Sequence, residues 1–155
     1  MGGFGTSFRW KGLQLSAQFS WIGTRYVINN DRYFEEGGVT FGTAYNQSRR
    51  VLYNRWKNPG DITDIPKWGE VNQLDDRYLE NASFLRLKNL SLSYSLPQAW
   101  LSKTKFFTLV RIYAQAQNLF TITGFNGLDP EVSSNVYRAQ YPASRQFTLG
   151  MEVSF

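Results

Sequence analysis

The groups in this sequence best suited to chemistry are carboxylates, crowded between residues 31 and 80: Asp31, Glu35, Glu36, Asp61, Asp64, Asp75, Asp76 and Glu80. Two facing carboxylates can divide acid and base work, as in a glycosidase, but nothing in this spacing fixes a facing pair. Asp129 and Glu131 flank Pro130 and offer oxygen ligands of the kind calcium takes. Two such groups are too few for a site, and a turn at Asp129-Pro130 is the better reading. The 155 residues include no Cys and no His. That removes cysteine nucleophiles, disulfides, histidine bases and Cys- or His-ligated metals. The expectation is a protein that is not an enzyme, with no catalytic residue, no metal and no cofactor.

Aromatic residues are the compositional anomaly. There are 12 Phe, 9 Tyr and 5 Trp, 17% of the chain, beside a mean hydropathy of only −0.40. That combination fits a sugar-binding β-module, or a barrel wall in which only every second residue is apolar. Tyr33, Tyr45, Tyr53, Trp56 and Trp68 fall in one long polar stretch. Flat rings with polar handles suit contact with a substrate or a partner protein, and equally suit a small core for that stretch. No apolar run is long enough for a membrane-crossing helix, and no charged-then-apolar leader opens the chain. Residues 23–82 are nearly neutral and the remaining basic residues are scattered, so the net charge of +5 does not describe a nucleic-acid-binding face.

These residues must be positioned by strands. From Leu13 to Trp21 every odd residue is apolar and every even one is Gln or Ser, a two-faced strand. Similar alternation predicts five antiparallel strands, at about 3–11, 13–22, 83–96, 106–120 and 144–155. Lys11-Gly12 joins the first two in a hairpin, and Pro97 stops the third. The connections are lopsided: tight turns on one side, long loops at about 23–82 and 121–143 on the other. Outer-membrane barrels sort their connections this way, with the long loops outside.

The polar faces are built from Ser, Gln, Asn, Thr and Gly, with Arg9, Arg111 and Glu152 among them. Arg or Lys on a lipid-facing side at mid-bilayer costs roughly 2–4 kcal/mol, so a wall must keep such charges on the lumen side. Arg86 and Lys88 share the register of Leu90, Leu92, Tyr94 and Leu96, which places them at an outer rim facing lipopolysaccharide phosphates. Trp10, Trp21 and Trp100 fall at strand ends, where interfacial girdles form.

Four segments carry a family resemblance. The run Asn81-Ala-Ser-Phe-Leu-Arg-Leu-Lys-Asn-Leu-Ser-Leu-Ser-Tyr-Ser-Leu-Pro97 resembles a late-barrel strand of SusC/RagA-type TonB-linked outer-membrane transporters. So do Arg111-Ile-Tyr-Ala-Gln-Ala-Gln-Asn-Leu-Phe120, Gly127-Leu-Asp-Pro-Glu-Val132, and the ending Tyr141-Pro-Ala-Ser-Arg-Gln-Phe-Thr-Leu-Gly-Met-Glu-Val-Ser-Phe155. The terminal alternation Phe147, Leu149, Met151, Val153, Phe155 resembles the signal that the outer-membrane assembly machinery reads. Burying those five side chains is worth on the order of 10 kcal/mol, at roughly 1.5–3 each.

The resemblance implies an all-β chain forming the C-terminal part of a 22-stranded transmembrane barrel in the outer membrane of a Gram-negative bacterium. It implies TonB-dependent active import of glycan oligomers or oligopeptides. The partners would be the rest of the barrel and its plug, a SusD-like surface lipoprotein, and the TonB complex. Plug and signal peptide are expected to lie outside this sequence. Within it, Gln14, Gln18, Arg111 and Gln117 are the expected lumen-lining residues. The alternative reading is a soluble β-sandwich carbohydrate-binding module that uses the loop aromatics as its platform.

Overall fold

A computed structural model describes residues 1–37, 46–104 and 106–155, and the chain divides into two units. The first comprises residues 1–23, 83–123 and 143–155; the second, residues 24–82 and 124–142.

The first unit is one five-stranded antiparallel sheet. Its strands are β1 (Gly2–Trp10), β2 (Leu13–Ile22), β5 (Phe84–Ser95), β6 (Leu109–Thr123) and β8 (Gln146–Ser154), in the spatial order β1-β2-β5-β6-β8. Alternation within strands becomes rows across them. Phe8, Leu15, Leu92, Ala114 and Leu149 are successive partners across all five strands, and the adjacent row is Ser7, Ser16, Ser91, Gln115 and Thr148. One side of the sheet is thus apolar and the other polar along its length. The apolar side is uncovered: Phe8 is 59% exposed, Ile112 52% and Leu149 83%. A soluble sandwich would bury this side against a second sheet; no such layer is formed by the described residues of this unit, and the sandwich alternative falls.

Local geometry explains two glycines. At the β1–β2 hairpin, Lys11 has φ 45° and Gly12 φ 89°, the doubly left-handed turn whose twist matches that of the flanking strands. A side chain on Gly12 would meet the Ser95 carbonyl oxygen at 2.5 Å. In β8, Gly150 pairs with Tyr113, and the phenol of Tyr113 occupies the space that a Cβ at this position would need. A Gly150→Val substitution should therefore cost about 1–3 kcal/mol of overpacking. Urea unfolding should show the loss, and a second change, Tyr113→Ala, should recover part of it.

The register also brings a correction. Phe19 pairs with Leu87 while Gln18 pairs with Asn89, so Lys88 is an extra residue in β5. That bulge inverts the facing of β5 on its two sides. Leu85 and Leu87 join the apolar side as partners of Trp21 and Phe19, and Arg86 joins the polar side between Ser20 and Thr121. Arg86 is 3% exposed, and its Nε donates to Thr121 Oγ1 at 2.8 Å. It does not share the register of Leu90, and the outer-rim placement read from unbroken alternation is withdrawn with it.

Between β5 and β6 the chain forms a short helix, α3 (Gln98–Thr104), which buries Leu101 and leaves Trp100 exposed. The alternation rule had no means of predicting it. β6 begins at Leu109 and continues to Thr123 because Phe120 and Ile122 still find partners in Leu87 and Leu85.

The second unit has a core of its own. β3 (Tyr26–Asn29) is flanked by β4 (Leu79–Asn81), antiparallel, and β7 (Val136–Tyr137), parallel. Helices α1 (Asn30–Glu35) and α2 (Arg49–Asn54) start at Asn29 and Ser48, whose side chains accept from the Arg32 and Arg50 amides. Val27, Ala82, Phe125, Val132 and Tyr137 pack together as a buried cluster. Both connections therefore fold as one body: residues 124–142 supply one strand and three of those five core side chains.

Candidate functional site

The polar side of the five-stranded sheet is the first candidate surface. Gln14, Gln18, Arg111 and Gln117 all lie on it, as partners of Ser93, Asn89, Glu152 and Gln146 respectively. Gln14 accepts from Arg9 Nη2 at 3.4 Å, and Arg111 Nη2 donates to Ser93 Oγ at 3.2 Å. Gln115 Nε2 donates to Asn89 Oδ1 at 2.9 Å. The face is thus a lattice of small hydroxyls and amides, able to donate and accept but without a concentrated reactive group. On the opposite side, Phe147, Leu149 and Met151 stand out from β8, and Phe155 follows the strand, 84% exposed with its ring 5.6 Å from Phe107. Val153 is half-buried.

The second surface belongs to the unit built from the two connections. Its electrostatic centre is Arg32, which sequence reasoning passed over. Arg32 bonds Glu36 at 3.0 Å and Glu80 at 2.8 Å, and Asp64 lies 3.5 Å away. Arg50 reaches the other Glu36 oxygen at 2.6 Å and Asp64 at 2.8 Å. Burial disfavours the Arg32 charge, but the bonds from Glu36 and Glu80 outweigh it and hold its pKa above the ordinary value. For Asp64, burial pushes upward, but the Arg50 hydrogen bond wins and keeps the carboxyl below the usual range. Glu80 also accepts from the Asn126 amide at 3.2 Å, and Asp31 accepts from the Ala139 amide at 3.1 Å, so this acid cluster ties the two connections together. The only sequence signal for any of it was Arg32 four residues before Glu36, a helical i, i+4 pair.

Of the carboxylates considered for acid–base work, Asp31, Glu36, Asp61, Asp64, Asp75 and Glu80 are therefore engaged by arginines or backbone amides, whereas burial and the neighbouring charges of Asp31 and Glu36 hold Glu35 above the ordinary carboxylate range. Asp129 accepts from the Glu131 amide at 2.9 Å, the turn expected around Pro130. Among the described residues no group of three or more acids gathers as a metal site would need.

The loop aromatics do not assemble into one platform. Tyr33 is half-buried, edge-on to Phe34 and Tyr78 at 5.4 and 5.6 Å, and is part of the packing. Tyr53 is exposed beside Arg49 and borders an open cleft of about 460 Å³ with Arg55, Lys57 and Asp61. Trp56 borders a second cleft, about 710 Å³, with Ile65, Pro66, Lys67, Glu70 and Arg77. Trp68 is 49% exposed with the Arg55 guanidinium 5.5 Å above it. Tyr45 lies outside the described residues. At the second cleft, Arg77 is held by Tyr78 and Asn72 and donates to the Asp64 carbonyl at 3.0 Å.

No protein-family model matches the chain. It is 30% identical to TonB-dependent receptor P3 of Formosa agariphila over 99% of its own length and 16% of that protein. It is 39% identical to TonB-dependent receptor SusC of Bacteroides thetaiotaomicron over 56% of its length and 9% of SusC. Among solved structures, the RagAB peptide importer in its open-open state matches with a TM-score of 0.89 and 44% identity, over 99% of this chain and 17% of that one. The chain thus spans about a sixth of the relatives that it matches from end to end. These relatives are receptors and transporters, not enzymes, and the likeness covers the sheet and both connections together. The chain belongs to the SusC/RagA-type TonB-dependent receptors, as a segment of their β-barrel.

Proposed function

We propose that this segment forms wall, lumen lining and outer loops of a TonB-dependent transporter in the outer membrane of a Gram-negative bacterium. The single observation that carries the reading is the two-faced sheet: an apolar side, exposed on all five strands, opposite a side of hydroxyls and amides. The apolar side faces lipid and the polar side faces the lumen, where Gln14, Gln18, Arg111 and Gln117 line the path or meet the plug. The assembly machinery reads the end of β8, and the TonB complex acts on parts of the protein beyond this segment. The second unit stands outside the cell and meets a SusD-like lipoprotein or the substrate through Tyr53, Trp56 and Trp68.

The cargo is a bulky nutrient. Oligopeptide is favoured over glycan, because likeness to the peptide importer runs the whole chain at 44% identity whereas likeness to SusC covers 56% of it. An antibody raised against residues 46–75, applied to fractionated native cells, tests the location. Signal in the outer-membrane fraction, with a band that shifts on heating, is expected. A heat-insensitive band in the soluble fraction would sink the reading. Deleting the encoding locus should abolish growth on oligopeptides as sole amino-acid source.

A further inference from the structure

The sequence contains a single Asn-Gly pair, Asn126-Gly127, and it stands in the second of the two connections. Glycine has no Cβ, so its amide is the least hindered that can follow an asparagine. The bonds around this pair leave it open. On one side the Asn126 amide donates to Glu80 Oε2 at 3.2 Å, and on the other the Leu128 amide donates to Tyr137 Oη at 2.9 Å. The Gly127 amide between them has no hydrogen-bond partner among the described residues. Neither has the Asn126 carboxamide, on a residue that is exposed to water. A nitrogen that can attack and the side-chain carbon it can reach are thus both unengaged at one peptide bond.

We infer that Asn126 is a modification site, at which the side chain cyclises onto Gly127 and leaves an isoaspartyl linkage in the main chain. Hydroxide removes the Gly127 amide proton, and the nitrogen forms a bond to Asn126 Cγ. The Cγ–Nδ2 bond breaks, ammonia departs, and a succinimide ring remains. Water then opens the ring. Attack at Cγ breaks its new bond to nitrogen and gives an ordinary aspartate. Attack at the main-chain carbonyl carbon breaks the old peptide bond instead, so that Gly127 stays joined through Cγ. The chain then runs through the former side chain and is one carbon longer.

That extra carbon enters a connection with no slack. Even a Cβ on Gly127 would meet Phe125 Cζ at 2.6 Å and Tyr137 Cε1 at 3.0 Å, and both rings belong to the buried cluster. A close-packed interior does not absorb such a displacement without moving its neighbours. The lengthened chain therefore pulls on the Glu80 bond, the Tyr137 bond or both. Glu80 is 8% exposed and also holds Arg32 at 2.8 Å, so strain at Asn126 reaches the network that orders the long connection. The chemistry is independent of what the receptor carries.

The test ages the intact receptor at mildly acidic and mildly alkaline pH. Peptide mapping with electron-transfer fragmentation should find isoaspartate accumulating at position 126, faster at the alkaline pH because the attacking nitrogen must lose its proton. Asn126→Gln would have to close a larger ring and should lose the product while keeping the fold. Proteolytic cleavage between residues 46 and 75 should rise about threefold or more on alkaline ageing of the unaltered receptor, since cleavage follows the population of the opened form. It should stay level in Asn126→Gln. Fresh Asn126→Asp, which has the charge without the added carbon, should be cleaved as slowly as the fresh unaltered receptor. No isoaspartate at 126 after alkaline ageing would overturn the site. Isoaspartate with unchanged cleavage, or cleavage that rises equally in Asn126→Gln, would overturn its coupling to the network. Fast cleavage of fresh Asn126→Asp would overturn the role of the added carbon. None of these outcomes bears on the transport reading, since none measures uptake.

Discussion

A Glu36→Ala receptor should lose the ordered form of its long connection. The Glu36 side chain is 1% exposed and is held by both Arg32 and Arg50. Its removal leaves Arg32, 15% exposed, with Glu80 as its remaining bonded carboxylate. Taking one partner from a buried ion pair costs about 3–5 kcal/mol; because Arg50 is 41% exposed and can turn to water, the lower end applies. Glu36→Gln keeps the shape and one acceptor oxygen, so it should cost clearly less. Asp75 is half-exposed, 3.5 Å from the largely buried Arg77, and caps the following turn by accepting from the Arg77 amide at 3.1 Å; Asp75→Ala should cost about 1 kcal/mol, as the loss of a cap does. Limited proteolysis of the intact receptor between residues 46 and 75 measures the difference, since cleavage follows the population of the opened connection. Equal cleavage rates in the Glu36→Ala and Asp75→Ala variants would show that the buried network does not hold the unit together.

Alternation and interruption together explain how far the sequence could be read. Period two is a property of the backbone, so Leu13 to Trp21 declares both its faces with no knowledge of its neighbours. A single inserted residue is invisible to the same logic. Lys88 looks like one more alternating position, and only the partners Phe19 and Leu87 reveal that the facing has inverted there. Arg86 was misplaced for that reason alone. The second unit was harder still, because its core joins Val27 and Ala82 to Phe125, Val132 and Tyr137, residues about 40 to 110 positions apart in the chain. No local window contains such a core. The strands within it are two to four residues long, too short for any period to show. Candidate residues fared according to the same division. Gln14, Gln18, Arg111 and Gln117 share a face because alternation put them there. Tyr33, Tyr53, Trp56 and Trp68 were grouped by composition alone and lie in different surroundings.

An arginine at position 149 separates a lipid-facing wall from any other use of this sheet. Leu149 lies midway along β8, is 83% exposed, and ends the apolar row that begins at Phe8. If that side meets hydrocarbon, Leu149→Arg should destabilise the assembled receptor by about 2–4 kcal/mol, the depth-dependent cost of a guanidinium near the bilayer midplane. Thr148→Arg changes the neighbouring residue, on the polar side beside Gln115, and should cost less than about 1 kcal/mol because a hydrated lumen accepts the charge. The contrast matters more than either value. Strand propensity, side-chain volume and added charge are closely matched between the two variants, so only the medium on each side of the sheet distinguishes them. Urea titration of the receptor in phospholipid vesicles, followed by the heat-dependent gel shift of the folded barrel, reads the contrast directly. Equal losses at 148 and 149 would place both sides of β8 in the same medium, and the assignment of lipid to one side and lumen to the other would fail.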